Sequence, residues 1–256
     1  MLSLREVARR TLGLTGGFSV TSDVFGYIFR DADGSVFGAL AAADTLPGSG
    51  QATTRSLTRH LQTIRGPAFE MVPIFVGFRS DFTGTVTQAQ TVRAQYTVQV
   101  ARDIYAQQGL GIRRLNWQAV PEAQVGGFAF IENRAEAKNL TDAWSGPDGG
   151  IDVFLVQTIG DADGWSSVPG SCDKNDTANL SGPVLEITQG SRLTGILMAH
   201  ETGHYLGLAG ATDGAGNLMG TASSTPGVDS INANSTGLTD AQGTTMRAHC
   251  SVSIVA

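Results

Sequence analysis

The chain has 256 residues, which is enough for one large domain or for an ordinary domain with an N-terminal appendage. Its hydrophobic fraction of 41% is that of a globular protein and argues against a disordered chain. The net charge is -6 and only two residues are lysines, so we expect neither a nucleic-acid partner nor a membrane partner.

Residues 1–68 are predicted to be a separate N-terminal segment, either a small β appendage or a pro-segment. Apolar stretches at 25–29 and 36–43 flank Asp31-Ala32-Asp33-Gly34, which is typical of a hairpin turn. The alternative interpretation is a calcium loop, but the later glutamate of an EF-hand is missing. The sequence favours the turn.

From residue 69 onward, strands and helices are predicted more clearly. An apolar run at 69–78 indicates a buried strand. Thr85 and Gln88 have the spacing of a capping box, and apolar residues at helical intervals follow, so a helix is predicted from this box to a C-terminal cap at Gly109. A second helix is predicted from Ser191 to Gly207. Further strands are predicted at 112–120, 125–132, 151–159 and 183–188. This succession predicts an α/β or α+β fold.

His200, Glu201 and His204 form an H-E-x-x-H motif in the second helix. Histidines four residues apart project from one helix face, so both imidazoles can bind one zinc ion. Glu201 is then placed to accept a proton from a water held by the metal. The competing interpretation makes the histidines hydrogen-bonded core residues, but two of the four histidines on one helical face argue against it.

The run HETGHYLGL, followed by Asn217-Leu218-Met219-Gly220, resembles the metzincin clan of metallopeptidases, and in particular its snapalysin-like and pappalysin-like members. Gly207 matches the glycine that ends the active-site helix, and Met219 matches the methionine turn below the metal. The resemblance implies an α+β catalytic domain over residues 69–256. Its sheet would be twisted and mostly parallel, with an antiparallel edge strand.

The resemblance also implies a substrate cleft. The segment 160–170 would form the edge strand that pairs with an extended substrate, and Gly164, Trp165 and Ser166 would line the cleft. Trp165 is equally compatible with an ordinary, partly buried aromatic. Tyr205 faces away from the histidine pair by helical geometry and is predicted to be a core residue.

The metzincin pattern breaks at the third zinc ligand, where Gly210 stands in place of histidine or aspartate. Asp213 is the preferred replacement, because it lies three residues further on and carboxylates bind zinc. The alternatives are His249, the more distant Asp229 and Asp240, a two-histidine site completed by water, or an inactive relative.

The sequence therefore predicts a zinc-dependent endopeptidase that acts on extended proteins or peptides, with a binding or structural protein as the alternative. We favour a monomer, and a calcium ion at Asp161 and Asp163 stays an open alternative. Secretion is implied by the resemblance, although the N-terminus lacks a continuous apolar signal stretch. The sequence leaves open whether Cys172 and Cys250 form a disulfide. In related peptidases an N-terminal cysteine or aspartate can block the metal. The first cysteine here is Cys172, so a cysteine from the N-terminal segment is excluded, and Asp31 or Asp33 is left as the candidate.

Overall fold

A mostly parallel sheet forms the centre of this computed structural model. Its long strand β4 (Pro67–Phe75) pairs in parallel with β8 (Ile151–Val156), and β8 pairs in parallel with β11 (Val184–Glu186). On its other side, β4 pairs in parallel with β5 (Gly111–Leu115) and β6 (Gln118–Ala119). Every residue of β8 is buried, as expected for a strand covered on both faces.

The structure describes residues 19–23, 26–30, 36–41, 66–77, 88–120, 122–147, 149–160, 162–187, 191–210, 214–220 and 231–254. Several predictions fall outside these ranges. They concern the turn at 31–34 with Asp31 and Asp33, the calcium candidate Asp161, and the ligand candidates Asp213 and Asp229.

Two short strands of the main sheet are antiparallel, and one of them forms the edge beyond β11. The short strand β10 (Gly164–Trp165) pairs antiparallel with β11, and β12 (Ser253–Ile254) pairs antiparallel with the start of β4. The fold is therefore a mixed α and β structure with a mostly parallel sheet. The position of β10 at the sheet edge agrees with the strand expected within residues 160–170.

Strands β1 (Ser19–Asp23), β2 (Gly26–Arg30) and β3 (Val36–Ala41) form a separate antiparallel sheet. The pairing of β2 with β3 is the hairpin that the sequence predicted. In space, β3 lies close to β5. Whether residues 1–68 act as a pro-segment stays a prediction.

Alternation along the strands divides the core between the two faces of the sheet. Met71 and Val153 belong to one hydrophobic cluster, and their neighbours Val72 and Phe154 belong to the other. This is the period of two that strand geometry imposes. The first cluster also contains the residues of the two long helices, so these helices cover one face of the sheet.

The two predicted helices form and lie against each other. Helix α1 (Gln88–Tyr105) ends in a 3-10 turn and Gly109, which has the left-handed φ of 63°. Helix α4 (Ser191–Tyr205) crosses it at Gly195, where an added Cβ would lie 2.5 Å from the Val100 Cβ. The absence of a side chain there permits the close approach. No helix in the described ranges is long and apolar enough to cross a membrane.

The strand predicted at 125–132 is wrong. Its first residue ends the short helix α2 (Glu122–Val125), turns follow, and only β7 (Phe130–Ile131) is extended. The cause is the Gly126-Gly127 pair, because Gly126 adopts a φ of 54° that breaks an extended chain. The short β7 pairs in parallel with β9 (Thr158–Ile159).

Two further helices were not predicted. Helix α3 (Arg134–Trp144) begins after Asn133, whose side chain caps the backbone of the first turn. Helix α5 (Asp240–Arg247) begins with a capping box between Thr239 and Gln242. The capping residues of both helices are visible in the sequence. Each helix has only a few apolar residues on its buried face, so hydrophobic periodicity did not distinguish it from a loop.

A disulfide joins Cys172 to Cys250. It links the loop between β10 and β11 to the segment after α5, across 78 residues of sequence. This pairing resolves the alternative that the sequence left open.

Candidate metal centre

The end of helix α4 creates the first half of the site. Gly207 has a φ of 97°, the Leu208 N–H donates to Gly203 O at 2.9 Å, and the Gly207 N–H donates to His204 O at 2.9 Å. These two bonds are a Schellman motif, in which the chain reverses at a left-handed glycine. The reversal brings the Leu208 carbonyl back to the helix, where the His204 Nδ1 donates to it at 2.7 Å.

The turn at 217–220 creates the second half. The Leu218 carbonyl accepts a hydrogen bond from His200 Nδ1 at 2.7 Å. Asn217 shapes this turn, because its Oδ1 accepts the Met219 N–H and its side-chain amide exchanges two hydrogen bonds of 2.9 Å with Gln242 of α5. Met219 is fully buried against helix α4, since a Cβ added at Gly203 would lie 3.1 Å from its sulfur.

These two carbonyls fix the tautomer of both histidines. A carbonyl oxygen can only accept, so in each neutral imidazole Nδ1 carries the proton and Nε2 carries the lone pair. The two Nε2 atoms face each other at 3.0 Å, with the rings nearly perpendicular at 88°. Two lone pairs at this distance repel unless a cation or a proton lies between them.

The donor set fits zinc. Two nitrogens bound at 2.0–2.1 Å to one tetrahedral zinc lie about 3.3 Å apart, which is close to the observed separation. Zinc-binding histidines commonly donate their second ring nitrogen to a carbonyl or a carboxylate, as both do here. His200 is buried and His204 is half-buried, so the pair is open on one side only.

Glu201 lies between helix α4 and the edge strand β10. Its side chain is 5% exposed, and a Cβ added at Gly164 would lie 2.8 Å from its Cγ and 2.9 Å from its Oε1. The missing side chain at Gly164 therefore allows the carboxylate to lie directly beside the edge strand. The Glu201 charge also acts on the buried Tyr105, whose pKa is raised above its ordinary value by burial and, to a lesser extent, by that charge. The Tyr105 hydroxyl stays protonated and donates to Ala199 O at 2.7 Å.

The other two predicted cleft residues differ from Gly164. Trp165 is half-buried and packs against the second hydrophobic cluster, so its side chain is part of the core. Ser166 is buried, its hydroxyl donates to Ser167 O, and its own carbonyl accepts from Arg134 at 3.0 Å. Arg134 thus holds the end of β10 in place. A role of Trp165 and Ser166 in substrate binding stays a prediction.

The third ligand is not found among the described residues. Within those ranges, no further His, Cys, Asp or Glu side chain forms a compact group with His200 and His204. His249 lies elsewhere, because its Nε2 donates to Gly170 O at 3.1 Å and its ring packs against Tyr205. The alternative of His249 as a ligand is therefore wrong. Asp240 is an exposed first-turn residue of α5, and Asp213 lies outside the described residues.

Two other predictions can be placed. Tyr205 is a core residue, as predicted, and burial and the charges of Asp152 and Asp176 raise its pKa to about 12. Asp163 belongs to no cluster of three candidate ligands in the described part of the chain, so nothing there supports the calcium site.

Sequence reasoning missed the groups that orient the histidines. The two carbonyls belong to Leu208 and Leu218, and every residue has a carbonyl, so no residue type marks them. Gln242 lies 25 residues from Asn217, and its pairing gives no local signal either. Arg134 and Tyr105 are likewise far from the motif in sequence.

Comparisons with known proteins give little further information. No family model and no curated protein matches the chain. Among solved structures, metalloproteinase-II from Bacteroides fragilis matches 72% of this chain and 53% of its own, at 15% identity and a TM-score of 0.43. The chain thus spans about half the length of that protein. A likeness of this degree leaves function to be argued from the residues of the chain itself.

The Asn217 network predicts a measurable effect on metal binding. In Asn217→Ala the turn loses its bonds to Gln242 and to the Met219 N–H, so the Leu218 carbonyl no longer holds His200 rigidly. We expect zinc affinity to fall by about 10- to 100-fold, the usual effect of losing an outer-shell partner. Competition with a chromophoric chelator measures the affinity. Asn234→Ala is the matched control, because Asn234 is exposed and lies in another turn. Equal affinities in the two variants would contradict this role.

Proposed function

We propose that the chain is a zinc-dependent endopeptidase of extended protein or peptide substrates, with a metzincin-like catalytic domain. One observation carries the proposal. The Nε2 atoms of His200 and His204 face each other at 3.0 Å while backbone carbonyls hold both Nδ1 protons. This arrangement presents two lone pairs to one ion, and a buried carboxylate, Glu201, is the next residue after the first histidine.

Zinc bound to this pair would supply Lewis acidity, which acidifies a water molecule and polarises a peptide carbonyl. Glu201 would accept the proton from that water on a carboxylate oxygen and return it to the leaving amine. Its burial beside Gly164 supports this role, since a carboxylate held in a confined position needs little reorganisation to exchange a proton.

The edge strand supports a peptide as the substrate. Among the described residues β10 pairs only with β11, and it lies beside Glu201. An extended peptide added to such an edge is bound through its backbone, which suits substrates of varied sequence. Extracellular action belongs to the same proposal, and the Cys172–Cys250 disulfide supports it because such bonds persist in oxidising compartments.

The general-base role of Glu201 is tested by Glu201→Gln. We expect zinc content to stay unchanged and kcat on an unstructured protein substrate to fall by at least about 100-fold, the usual contribution of a positioned general base. Glu132→Gln is the matched control, since Glu132 is exposed and lies outside the helix. Peptidase activity that survives in the zinc-loaded Glu201→Gln variant would rule out this mechanism.

The contact between β10 and Glu201 gives a second test. In Gly164→Ala the new methyl group would come within 3 Å of the Glu201 side chain and displace the carboxylate. We expect lower kcat with zinc still bound, by about 10- to 100-fold for a displacement near 1 Å. Gly127→Ala serves as control, because nothing lies within 4 Å of the position of its Cβ. Steady-state kinetics that do not distinguish the two variants would show that Gly164 makes no such contact.

A second candidate function is a binding or structural protein that keeps the fold but lacks activity. Gly210, which cannot bind zinc through a side chain, favours it. In that case a proton shared between the two Nε2 atoms would replace the metal.

Asp213→Ala separates the two functions. If the chain is a peptidase whose third ligand is Asp213, the purified wild type holds one zinc per chain. The variant then loses both the zinc and the peptidase activity. Elemental analysis of both proteins gives the answer. A folded wild type that takes up no zinc supports the binding protein, and a variant with full zinc content shows that another group is the third ligand.

A further inference from the structure

A second group of metal-ligating atoms lies away from the histidine pair. The sulfurs of Cys172 and Cys250 and a ring nitrogen of His249 all lie within 4.8 Å of one another. The sulfurs are bonded as a disulfide, and a disulfide sulfur is not a metal ligand because metals bind the thiolate. Both cysteines are exposed, so a small thiol can reach them.

Two hydrogen bonds assign the tautomer of His249. Its Nε2 donates to the Gly170 carbonyl at 3.1 Å, and its Nδ1 accepts the Ser251 N–H at 3.2 Å. The lone pair of the neutral ring is therefore on Nδ1. The bond from Nε2–H to a carbonyl is the outer-shell contact that usually fixes a zinc-binding histidine. A metal would replace only one long hydrogen bond.

The loop that carries Cys172 is held by contacts that do not depend on the disulfide. The Gly170 N–H donates to Tyr205 O at 2.8 Å, and the Tyr205 hydroxyl donates to Ser171 O at 2.6 Å. A Cβ at Gly170 would lie 2.2 Å from the Tyr205 ring, so the loop is in direct contact with helix α4. These bonds hold the Cys172 loop on helix α4, and the His249 Nε2–Gly170 bond joins the same loop to the segment that carries Cys250.

We propose that reduction of the Cys172–Cys250 disulfide creates a second zinc site, formed by the two thiolates and His249 Nδ1. A dithiol reductant supplies two electrons and two protons, giving two protein thiols and a cyclic disulfide of the reductant. Binding of Zn²⁺ then releases both thiol protons. In a tetrahedral site the two sulfurs lie about 3.8 Å apart. The bonded sulfurs must therefore move apart after reduction, while a ring nitrogen of His249 is already within 4.8 Å of both.

This site has three protein ligands and therefore one open position. A fully closed structural site has four, whereas a three-ligand site leaves room for water or another ligand. The soft thiolate pair selects zinc over calcium or magnesium. The disulfide and the zinc site are alternative states of the same three residues, so metal binding there depends on the thiol–disulfide balance. The proposal does not depend on peptidase activity.

The experiment compares oxidised and reduced full-length protein after anaerobic removal of the reductant. We expect the reduced protein to bind one zinc per chain more than the oxidised protein by elemental analysis. With Co²⁺ as the probe, the reduced protein should gain a thiolate-to-cobalt absorption band. The His200→Ala/His204→Ala variant should keep this band, which separates the second site from the proposed active site.

Matched variants test the ligand assignment. Cys172→Ser/Cys250→Ser removes both thiolates, and we expect it to lose the additional equivalent and the band while circular dichroism shows a folded chain. His249→Ala should weaken the additional binding while leaving both thiols intact. The proposal is overturned if reduced, folded protein binds no more zinc than oxidised protein, or if His249→Ala binds as tightly as wild type. A reduced chain that is unfolded and that zinc does not refold also contradicts it.

Discussion

Two hydrogen bonds from histidine Nδ1 atoms to backbone carbonyls are the constraint on which the candidate metal centre depends. Without them the rings of His200 and His204 could rotate or change tautomer, and two nitrogens on one helix face would not define a site. Each bond requires the chain to return to helix α4. The left-handed Gly207 brings back Leu208, and the turn at Asn217 brings back Leu218.

The neighbours of helix α4 pack closely against it because a glycine stands at each point of contact, either in the helix or in the neighbouring strand. Gly195 allows α1 to approach, Gly203 makes room for Met219, and Gly164 of the edge strand lies against Glu201. A methyl group at any of these positions would require a neighbour to move. The rigidity of the histidine pair and the confinement of the carboxylate thus follow from the same close packing.

At its C-terminal end, helix α4 also contacts the loop that carries Cys172. Tyr205 follows His204 directly, yet its hydroxyl and carbonyl bind the loop that carries Cys172. That loop joins the edge strand β10 to β11, so the disulfide region and the proposed cleft are parts of one segment.

The sequence by itself determined the motif helix, its glycine end and the existence of the strands that form at 67–75, 151–156 and 184–186, because these depend on local spacing and on residue types with strong preferences. It failed at 125–132, where a glycine pair outweighed an apolar pattern. Only the tertiary structure decided which carbonyls orient the histidines, that Gly164 touches Glu201, and that His249 belongs with the cysteines. Those contacts join groups far apart in sequence, and a backbone carbonyl is the same in every residue, so no pattern of side chains marks them.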